Sequence, residues 1–247
     1  MANRHYDSLS DHQEGTCQWF VDDNRFKSWE RGDSEHVLWA SGVPGAGKTI
    51  LTSFVIEHLK GPLKHPHVSY IYCDYKDEEQ HSALELIASI TRQFAEIDEG
   101  IYEILKSNWA HSADQKYWDW HTINISWIVS VLQRIGQYKQ DLFIIVDGLD
   151  EIPEYTERGE EVRTQFTNSL KELLDTYRIL VTSRSHLNLE TLLGRCGKLE
   201  ISPPKSDIKA FVHSKFSTST RLNHLLGENQ DLKEEFSDSL ADRSCGM

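Results

Sequence analysis

The sequence has few cysteines, no long apolar run and a shortage of basic residues. Its four cysteines, at positions 17, 73, 196 and 245, are far apart and include no C-x-x-C pair. That spacing does not indicate a zinc site, and in a chain of this size the even count does not indicate a disulfide framework. The N-terminus is polar, and no apolar run approaches the roughly 20 residues of a membrane span. We therefore expect a cytoplasmic protein in a reducing compartment, with no membrane partner.

The balance of charge is strongly acidic. Lys plus Arg number 26 against 39 for Asp plus Glu, which gives a formal net charge of −13. A charge of that sign argues against nucleic-acid binding, for which a basic face is expected. The 247 residues suffice for one large α/β domain with a substantial buried core.

The most informative stretch is the loop G-V-P-G-A-G-K-T, which begins at Gly42 and ends at Thr49. It fits the phosphate-binding template G-x-x-x-x-G-K-[S/T] at every fixed position. The glycines let the backbone curl so that successive N–H groups point at a phosphate. Lys48 would reach the β- and γ-phosphates, and the Thr49 hydroxyl would ligate Mg²⁺. The predicted nucleotide-binding residues are Gly42, Pro44, Gly45, Ala46, Gly47, Lys48, Thr49 and Ile50.

The loop lies between a predicted strand and a predicted helix. The apolar run at residues 36–40 is typical of a buried strand, and residues 49–60 carry apolar side chains at helical spacing before Gly61 and Pro62. A strand, a loop and a helix in that order are the context that the motif requires. The helix N-terminus would add free N–H groups and a positive dipole end to the same anion site.

A second motif lies further along the chain. The apolar run Leu142–Val146 predicts a strand buried on both faces, and D-G-L-D-E follows it directly. A carboxylate at the carboxyl end of such a strand lies at the edge where open α/β sheets bind ligands. Asp147 is therefore the predicted Mg²⁺ ligand beside Thr49. Asp150 and Glu151 are both candidates to orient or deprotonate an attacking water, and Glu151 is preferred.

A third predicted strand, at residues 177–184, ends in Thr-Ser-Arg and brings Arg184 to the same edge of the sheet. A planar guanidinium suits phosphate oxygens, so Arg184 is a candidate to sense or stabilise a γ-phosphate. The alternative is a surface arginine in the first turn of the next helix. Arg178 lies at the opposite end of the strand and is expected to face solvent.

Together, G-V-P-G-A-G-K-T, I-I-V-D-G-L-D-E and I-L-V-T-S-R resemble the motifs of the NACHT NTPases, within the signal-transduction ATPases with numerous domains. The segment G-T-C-Q-W-F at residues 15–20, with Phe26 and Trp29, is similar to the lead-in of fungal members described as nephrocystin-3-like N-terminal domains. The resemblance covers residues 14–216. It implies an α/β three-layer P-loop fold with a parallel sheet of order 5-1-4-3-2 and helices on both faces. It also implies an ATP/ADP switch with Mg²⁺, slow hydrolysis, and self-assembly or binding of protein partners.

The resemblance also divides the chain. Residues 1–30 are expected to be the lead-in, residues 31–204 the NACHT-like core, and residues 205–247 a partial helical extension whose acidic tail frays from residue 228. Complete members continue into a winged-helix module with a G-x-P motif and then into sensor repeats, and neither is found in this sequence. We therefore expect a bare nucleotide-binding core, either a truncated gene product or a minimal member.

Two functions remain open at this point. The first is a hydrolysing NTPase, which the retention of every necessary acid favours. The second is an interaction module that binds ATP or ADP with negligible turnover, which the missing winged helix favours, because that module contacts the nucleotide in the family. A small-molecule kinase is less favoured, because the arginine-rich lid of such kinases is not found. Adenine is preferred over guanine on the resemblance, and no N-K-x-D motif follows residue 147.

Overall fold

The centre of the molecule is a five-stranded parallel sheet. The computed structural model describes residues 2–61, 67–74, 82–113, 124–155, 161–219 and 229–244. The strands are β1 (Val37–Ser41), β2 (His67–Tyr72), β3 (Leu142–Asp147), β4 (Tyr177–Ser183) and β5 (Gly197–Glu200).

The strands pair in the order β2-β3-β4-β1-β5. This is the predicted order 5-1-4-3-2 read from the other edge, and the prediction is confirmed. Trp39 of β1 pairs with Val181 of β4, and Val146 of β3 pairs with the same residue from the opposite side. Strand β4 therefore lies between the strand before the glycine-rich loop and the strand that ends in Asp147.

Helices cover both faces of the sheet. The described helices are α1 (Ala2–Ser10), α2 (Gln18–Asp22), α3 (Asn24–Arg31), α4 (Lys48–Lys60), α5 (Ala83–Ile97), α6 (Glu99–Ala113), α7 (Ile125–Tyr138), α8 (Val162–Lys171), α9 (Leu189–Leu193), α10 (Lys205–Thr218) and α11 (Gln230–Ser244). One core cluster packs α5, α7 and α8 on the sheet, and a second packs α2, α3 and α4 on its other face. Within these residues, no helix combines the length and apolarity that crossing a bilayer requires.

Apolar side chains at helical spacing explain why the helices lie where they do. In α5, Leu86, Ile90 and Phe94 share one stripe and are buried against the sheet. All six residues of β3 are buried, as expected for a central parallel strand with helices on both sides. In the lead-in, the ring centroid of Trp29 lies 5.4 Å from that of Phe143 of β3, so the segment before the loop is fixed to the sheet.

The sequence predicted that the tail frays from residue 228. In the structure, residues 230–244 form α11 instead. This helix packs against α10, with Ala241 buried and the rings of Phe216 and Phe236 6.0 Å apart. Lys205 and Lys209 of α10 form ion pairs with Asp242 and Asp238 of α11, so acidic residues stabilise the packing instead of preventing it. Residues 220–228 lie outside the described part of the chain.

Arg178 does not face solvent, and that sequence expectation is wrong. Its side chain is only 12% exposed and forms an ion pair with Asp141. The guanidinium donates a hydrogen bond to the carbonyl of Glu30 at 2.7 Å and lies over the Phe143 ring, 4.6 Å from its centroid. Arg178 therefore fastens the end of α3 to the amino end of β3.

Candidate functional site

The glycine-rich loop joins β1 to α4 at the carboxyl edge of the sheet. Its first amide, on Gly42, donates to the carbonyl of Ser183 at the end of β4, 3.1 Å away. Gly45 and Gly47 have φ values of +81° and +82°, a region that side chains with a Cβ rarely adopt. A Cβ at either position would meet no atom within 4 Å, so the backbone conformation and not crowding requires glycine there. The loop therefore has the curled backbone that a phosphate needs.

Lys48 is the first residue of α4 and folds back over the loop. Its Nζ donates to the carbonyls of Gly42 and Val43, both at 3.1 Å. The amide groups of the first turn of α4 have no helical partner on their N-terminal side and point towards the same region as the ammonium group. The loop, the helix end and Lys48 thus make a concentrated positive region in an acidic protein.

Asp147, at the end of β3, contacts residues of both α4 and β4. Its side chain is buried, with 2% of the residue exposed. Thr49 Oγ1 donates to Asp147 Oδ2 at 2.8 Å, and the hydroxyls of Thr52 and Thr182 lie 2.9 Å and 2.7 Å from Oδ1. Thr182 Oγ1 also accepts a hydrogen bond from the amide of Gly148 at 2.8 Å. The hydroxyls therefore connect Asp147 to α4 and to β4.

The predicted metal ligands, Thr49 and Asp147, lie side by side and fit Mg²⁺. Both present oxygen atoms, and Mg²⁺ is commonly held by one or two protein oxygen ligands together with phosphate oxygens and water. Their 2.8 Å contact joins the helix that follows the loop to the end of β3, where a bound phosphate would complete such a ligand set.

Asp150 and Arg184 form an ion pair at the same edge. Asp150 Oδ1 accepts a hydrogen bond from the backbone amide of Arg184 at 3.1 Å, and Oδ2 lies 3.2 Å from Arg184 Nε. The Asp150 side chain is 6% exposed, whereas that of Arg184 is 48% exposed. Asp150 is thus occupied in holding Arg184, and the guanidinium reaches towards solvent at the carboxyl end of β4.

Glu151 lies in a short 3-10 turn, Leu149–Glu151, directly after the strand. Its amide donates to the carbonyl of Gly148 at 2.7 Å, which tightens the turn. Partial burial, as the main cause, raises the pKa of the Glu151 carboxyl, and the nearby charges of Asp147 and Asp150 raise it further. Arg4 of α1 opposes this effect, with its Nη2 3.9 Å from Glu151 Oε2. A carboxyl with a raised pKa at the carboxyl edge of the sheet, where the loop also lies, is suited to accept a proton.

A cavity of about 380 Å³ opens beside the loop. The cavity is lined by the lead-in, the glycine-rich loop, α4 and the segment from β5 into α10. The lining residues include Thr16, Trp19, Ile50, Leu51, Ile201, Pro203, Ile208 and Phe211. Trp19 Nε1 is buried and has no hydrogen-bond partner within the described ranges. The cavity has largely apolar walls, which suit a flat heterocycle.

The structure brings the predicted site residues to one edge of the sheet, but the site also contains residues that the sequence did not indicate. Thr52 and Thr182 surround Asp147, and Arg4 reaches Glu151 from the N-terminal helix. A threonine one turn after Thr49 on the same helix face was a signal for the first of these. Nothing in the sequence pattern of α1 indicated Arg4, because its partners are distant in the chain.

The phosphate-binding loop lies between β1 and α4, and an acid lies at the end of β3. Strand β4 lies between β1 and β3. These features define a P-loop NTPase and a nucleotide-binding core. A family described as "Nephrocystin 3, N-terminal" matches residues 15–184, more than half of the chain. The chain belongs to this family, and the resemblance to NACHT-type nephrocystin-3-like domains is confirmed.

Other proteins of known sequence or structure are similar to this chain. The vegetative incompatibility protein HET-E-1 of Podospora anserina is 26% identical over 139 residues, which are 54% of this chain and 10% of that protein. The present chain therefore matches only about a tenth of that relative's length. A Walker-type ATPase of Pyrococcus abyssi, PABY2304, aligns with a TM-score of 0.50 at 14% identity, over 80% of this chain and 57% of that one. At that identity, the likeness shows the fold alone. PCH-2 of C. elegans aligns at 11% identity with a TM-score of 0.41, over 89% of this chain and 51% of that one.

Proposed function

We propose that this protein binds ATP with Mg²⁺ and hydrolyses it slowly, as a signalling or assembly switch. The observation that carries the proposal is the hydrogen bond between Thr49 and Asp147, at 2.8 Å, beside the phosphate-binding loop. It joins the two motifs that a P-loop NTPase needs on adjoining elements. The match to a vegetative incompatibility protein supports a signalling role, although it covers a small part of that protein.

Each side chain of the site has a distinct role in this proposal. Lys48 exchanges its contacts with the loop carbonyls for contacts with phosphate oxygens. Thr49 and Asp147 would hold Mg²⁺, which supplies charge neutralisation between phosphate oxygens when bound. Glu151 accepts the proton of the attacking water, and its raised pKa brings it nearer to the working pH. Arg184, held by Asp150, stabilises charge on the γ-phosphate.

The base of the nucleotide would occupy the 380 Å³ cavity beside the loop. The apolar side chains of Ile50, Ile201 and Phe211 provide surfaces for stacking and packing. A rotation of the Trp19 ring would bring its buried Nε1, which has no partner among the described residues, to a ring nitrogen or another acceptor of the ligand. Adenine is the proposed base because the motifs resemble those of ATPases and no N-K-x-D motif follows residue 147.

A second candidate function is a nucleotide-dependent interaction module with negligible turnover. The pairing of both acids of the turn with arginines favours it, because Asp150 contacts Arg184 and Glu151 faces Arg4. In that case the nucleotide would set the conformation of the edge of the sheet, and protein partners or further copies of the chain would recognise it. We propose a cytoplasmic location for either function.

Single-turnover hydrolysis separates the two. One portion of the purified chain would be denatured to identify the nucleotide that copurifies with it. A second, native portion would be freed of bound nucleotide and mixed in excess over labelled ATP, with and without Mg²⁺. We expect bound adenine nucleotide and Mg²⁺-dependent release of phosphate, both lost in Lys48→Ala. Tight ATP binding without phosphate release would support the interaction module. Absence of nucleotide binding in a folded protein would overturn both functions.

A further inference from the structure

Helix α1 is fixed beside the end of β2 by a buried histidine. His5 is 3% exposed, and its Nε2 lies 3.0 Å from Oε1 of Glu57 on α4. Its Nδ1 lies 2.9 Å from the hydroxyl of Tyr72, the last residue of β2, and its ring centroid is 4.9 Å from that of Tyr70. Because both imidazole nitrogens are paired within the protein, the helix is held in one position relative to α4 and β2.

This docking brings Arg4, the preceding residue, to the carboxyl ends of β2 and β3. Arg4 Nη1 donates to the carbonyl of Cys73 at 3.1 Å and lies 3.1 Å from Asp74 Oδ2. The amide of Cys73 in turn donates to the carbonyl of Asp147 at 2.9 Å. With Nη1 anchored twice after β2, Nη2 lies 3.9 Å from Glu151 Oε2.

The surroundings of Glu151 are mostly acidic. Asp147 comes from β3, Asp150 from its own turn and Asp74 from the segment after β2, and all three oppose ionisation of Glu151. Arg184, the arginine at the end of β4, is paired with Asp150. In the described part of the chain, Arg4 is the cation within ion-pair distance of Glu151. Helix α1, which precedes the P-loop core in the chain, thus supplies the positive charge that offsets the acidic surroundings of Glu151.

We propose that Arg4 is a positioning residue that keeps the Glu151 carboxylate ionised and directed, so that docking of α1 sets the hydrolytic competence of the site. The proposal rests on the proposed function, in which Glu151 accepts the proton of the attacking water. Arg4 does not touch the nucleotide in this scheme and acts only through Glu151. Displacement of α1 would therefore slow hydrolysis without releasing the nucleotide.

The test compares Arg4→Ala and Arg4→Lys with Arg31→Ala, a control that removes an arginine from an exposed pair with Asp33. We expect Arg4→Ala to lower the single-turnover rate at neutral pH about tenfold, with nucleotide affinity unchanged within about twofold. The acid limb of its pH–rate profile should move to higher pH, because Glu151 loses the charge that favours its ionised form. Arg4→Lys should restore part of the rate, and Arg31→Ala should behave as the parent.

A second readout does not depend on turnover. The carboxyl carbon of Glu151, assigned by its absence in Glu151→Gln, would be titrated by NMR in the parent and in Arg4→Ala. We expect a higher pKa in Arg4→Ala. Equal pKa values together with an unchanged acid limb would overturn the role of Arg4. A parent that binds ATP but releases no phosphate would overturn the proposed hydrolysis and with it the catalytic consequence, while the titration would still decide whether Arg4 acts on Glu151.

Discussion

Asp150 accepts a hydrogen bond from the backbone amide of Arg184 at 3.1 Å, and its second oxygen lies 3.2 Å from Nε of the same arginine. This pair gives the two neighbouring acids of the turn different surroundings. The Asp150 side chain is almost fully buried and has its arginine partner directly after β4, whereas Glu151 is about one-third exposed and lies near Arg4 of α1. A water molecule can therefore approach Glu151 more easily than Asp150.

The first prediction follows from this difference. Glu151→Gln should retain nucleotide affinity and lower single-turnover hydrolysis at least about a hundredfold, because an amide cannot accept the proton of the water. Asp150→Asn should lower the rate less and reduce the free energy of unfolding by about 1 kcal/mol, since it weakens the contact with Arg184. Phosphate release and urea unfolding would measure both effects. Parent-like hydrolysis in Glu151→Gln with loss in Asp150→Asn would reverse the roles.

The second prediction concerns Lys48. Lys48→Ala should weaken ATP and ADP binding by about 10- to 100-fold, because each lost charge-assisted hydrogen bond contributes about 1.5–3 kcal/mol. The fold should remain, since the hydrogen bonds of the Lys48 ammonium group within the described residues go to the Gly42 and Val43 carbonyls of the loop itself. Isothermal titration calorimetry would give the affinities, and thermal unfolding would check the fold. Unchanged affinity in a folded variant would refute the phosphate-binding role of the loop.

The third prediction separates the metal from the nucleotide. Asp147→Asn should abolish the gain in ATP affinity that Mg²⁺ provides, and hydrolysis with it, while binding without Mg²⁺ changes little. Asp98→Asn is the control, because Asp98 is another acid with a largely buried side chain, but its partners are the basic residues His67 and Lys139 and it lies away from the loop. It should lower stability and leave the Mg²⁺ effect intact. An undiminished Mg²⁺ effect in Asp147→Asn would remove Asp147 from the metal site.

The fourth prediction tests the cavity beside the loop. Trp19→Phe retains an aromatic ring and removes the unpaired Nε1 donor, so the nucleotide-free protein should be as stable as the parent or more stable. Nucleotide affinity should fall about fivefold, the loss of one hydrogen bond. Trp29→Phe is the control: Trp29 Nε1 donates to the His36 carbonyl at 3.1 Å, so this change should lower stability and leave affinity unaltered. Parent-like affinity in Trp19→Phe would mean that Nε1 does not contact the ligand.

The sequence predicted the parts of this site that depend on local pattern. The loop at residues 42–49 has a fixed spacing, and a buried strand ending in Asp147 indicates a ligand at the edge of a parallel sheet. The sheet order came from the family resemblance, since local patterns do not determine which strands are neighbours. Arg4 and Thr182 were not predicted, because their contacts with Cys73 and Asp147 join residues 69 and 35 positions apart.

The C-terminal tail shows that composition, like local pattern, does not predict contacts between distant segments. Its acidic and polar character favoured disorder, yet acidic side chains of α11 pair with lysines of α10. Composition describes one segment at a time, whereas this stabilisation arises between two segments that meet only in the folded chain.

The last prediction links stability to pH at Glu151. Burial raises the pKa of this carboxyl in the folded protein, so the folded state binds its proton more tightly than the unfolded state does. The contribution of Glu151 to stability is therefore greatest below the ordinary glutamate pKa and is lost as the pH rises through the raised value. Glu151→Gln, which is neutral at every pH, should accordingly have a higher Tm than the parent at pH values near 7. The difference should shrink as the pH approaches about 4, where the parent is also protonated. Calorimetry across this range measures it, and a variant less stable than the parent at neutral pH would show that the contact with Arg4 outweighs the burial of the charge.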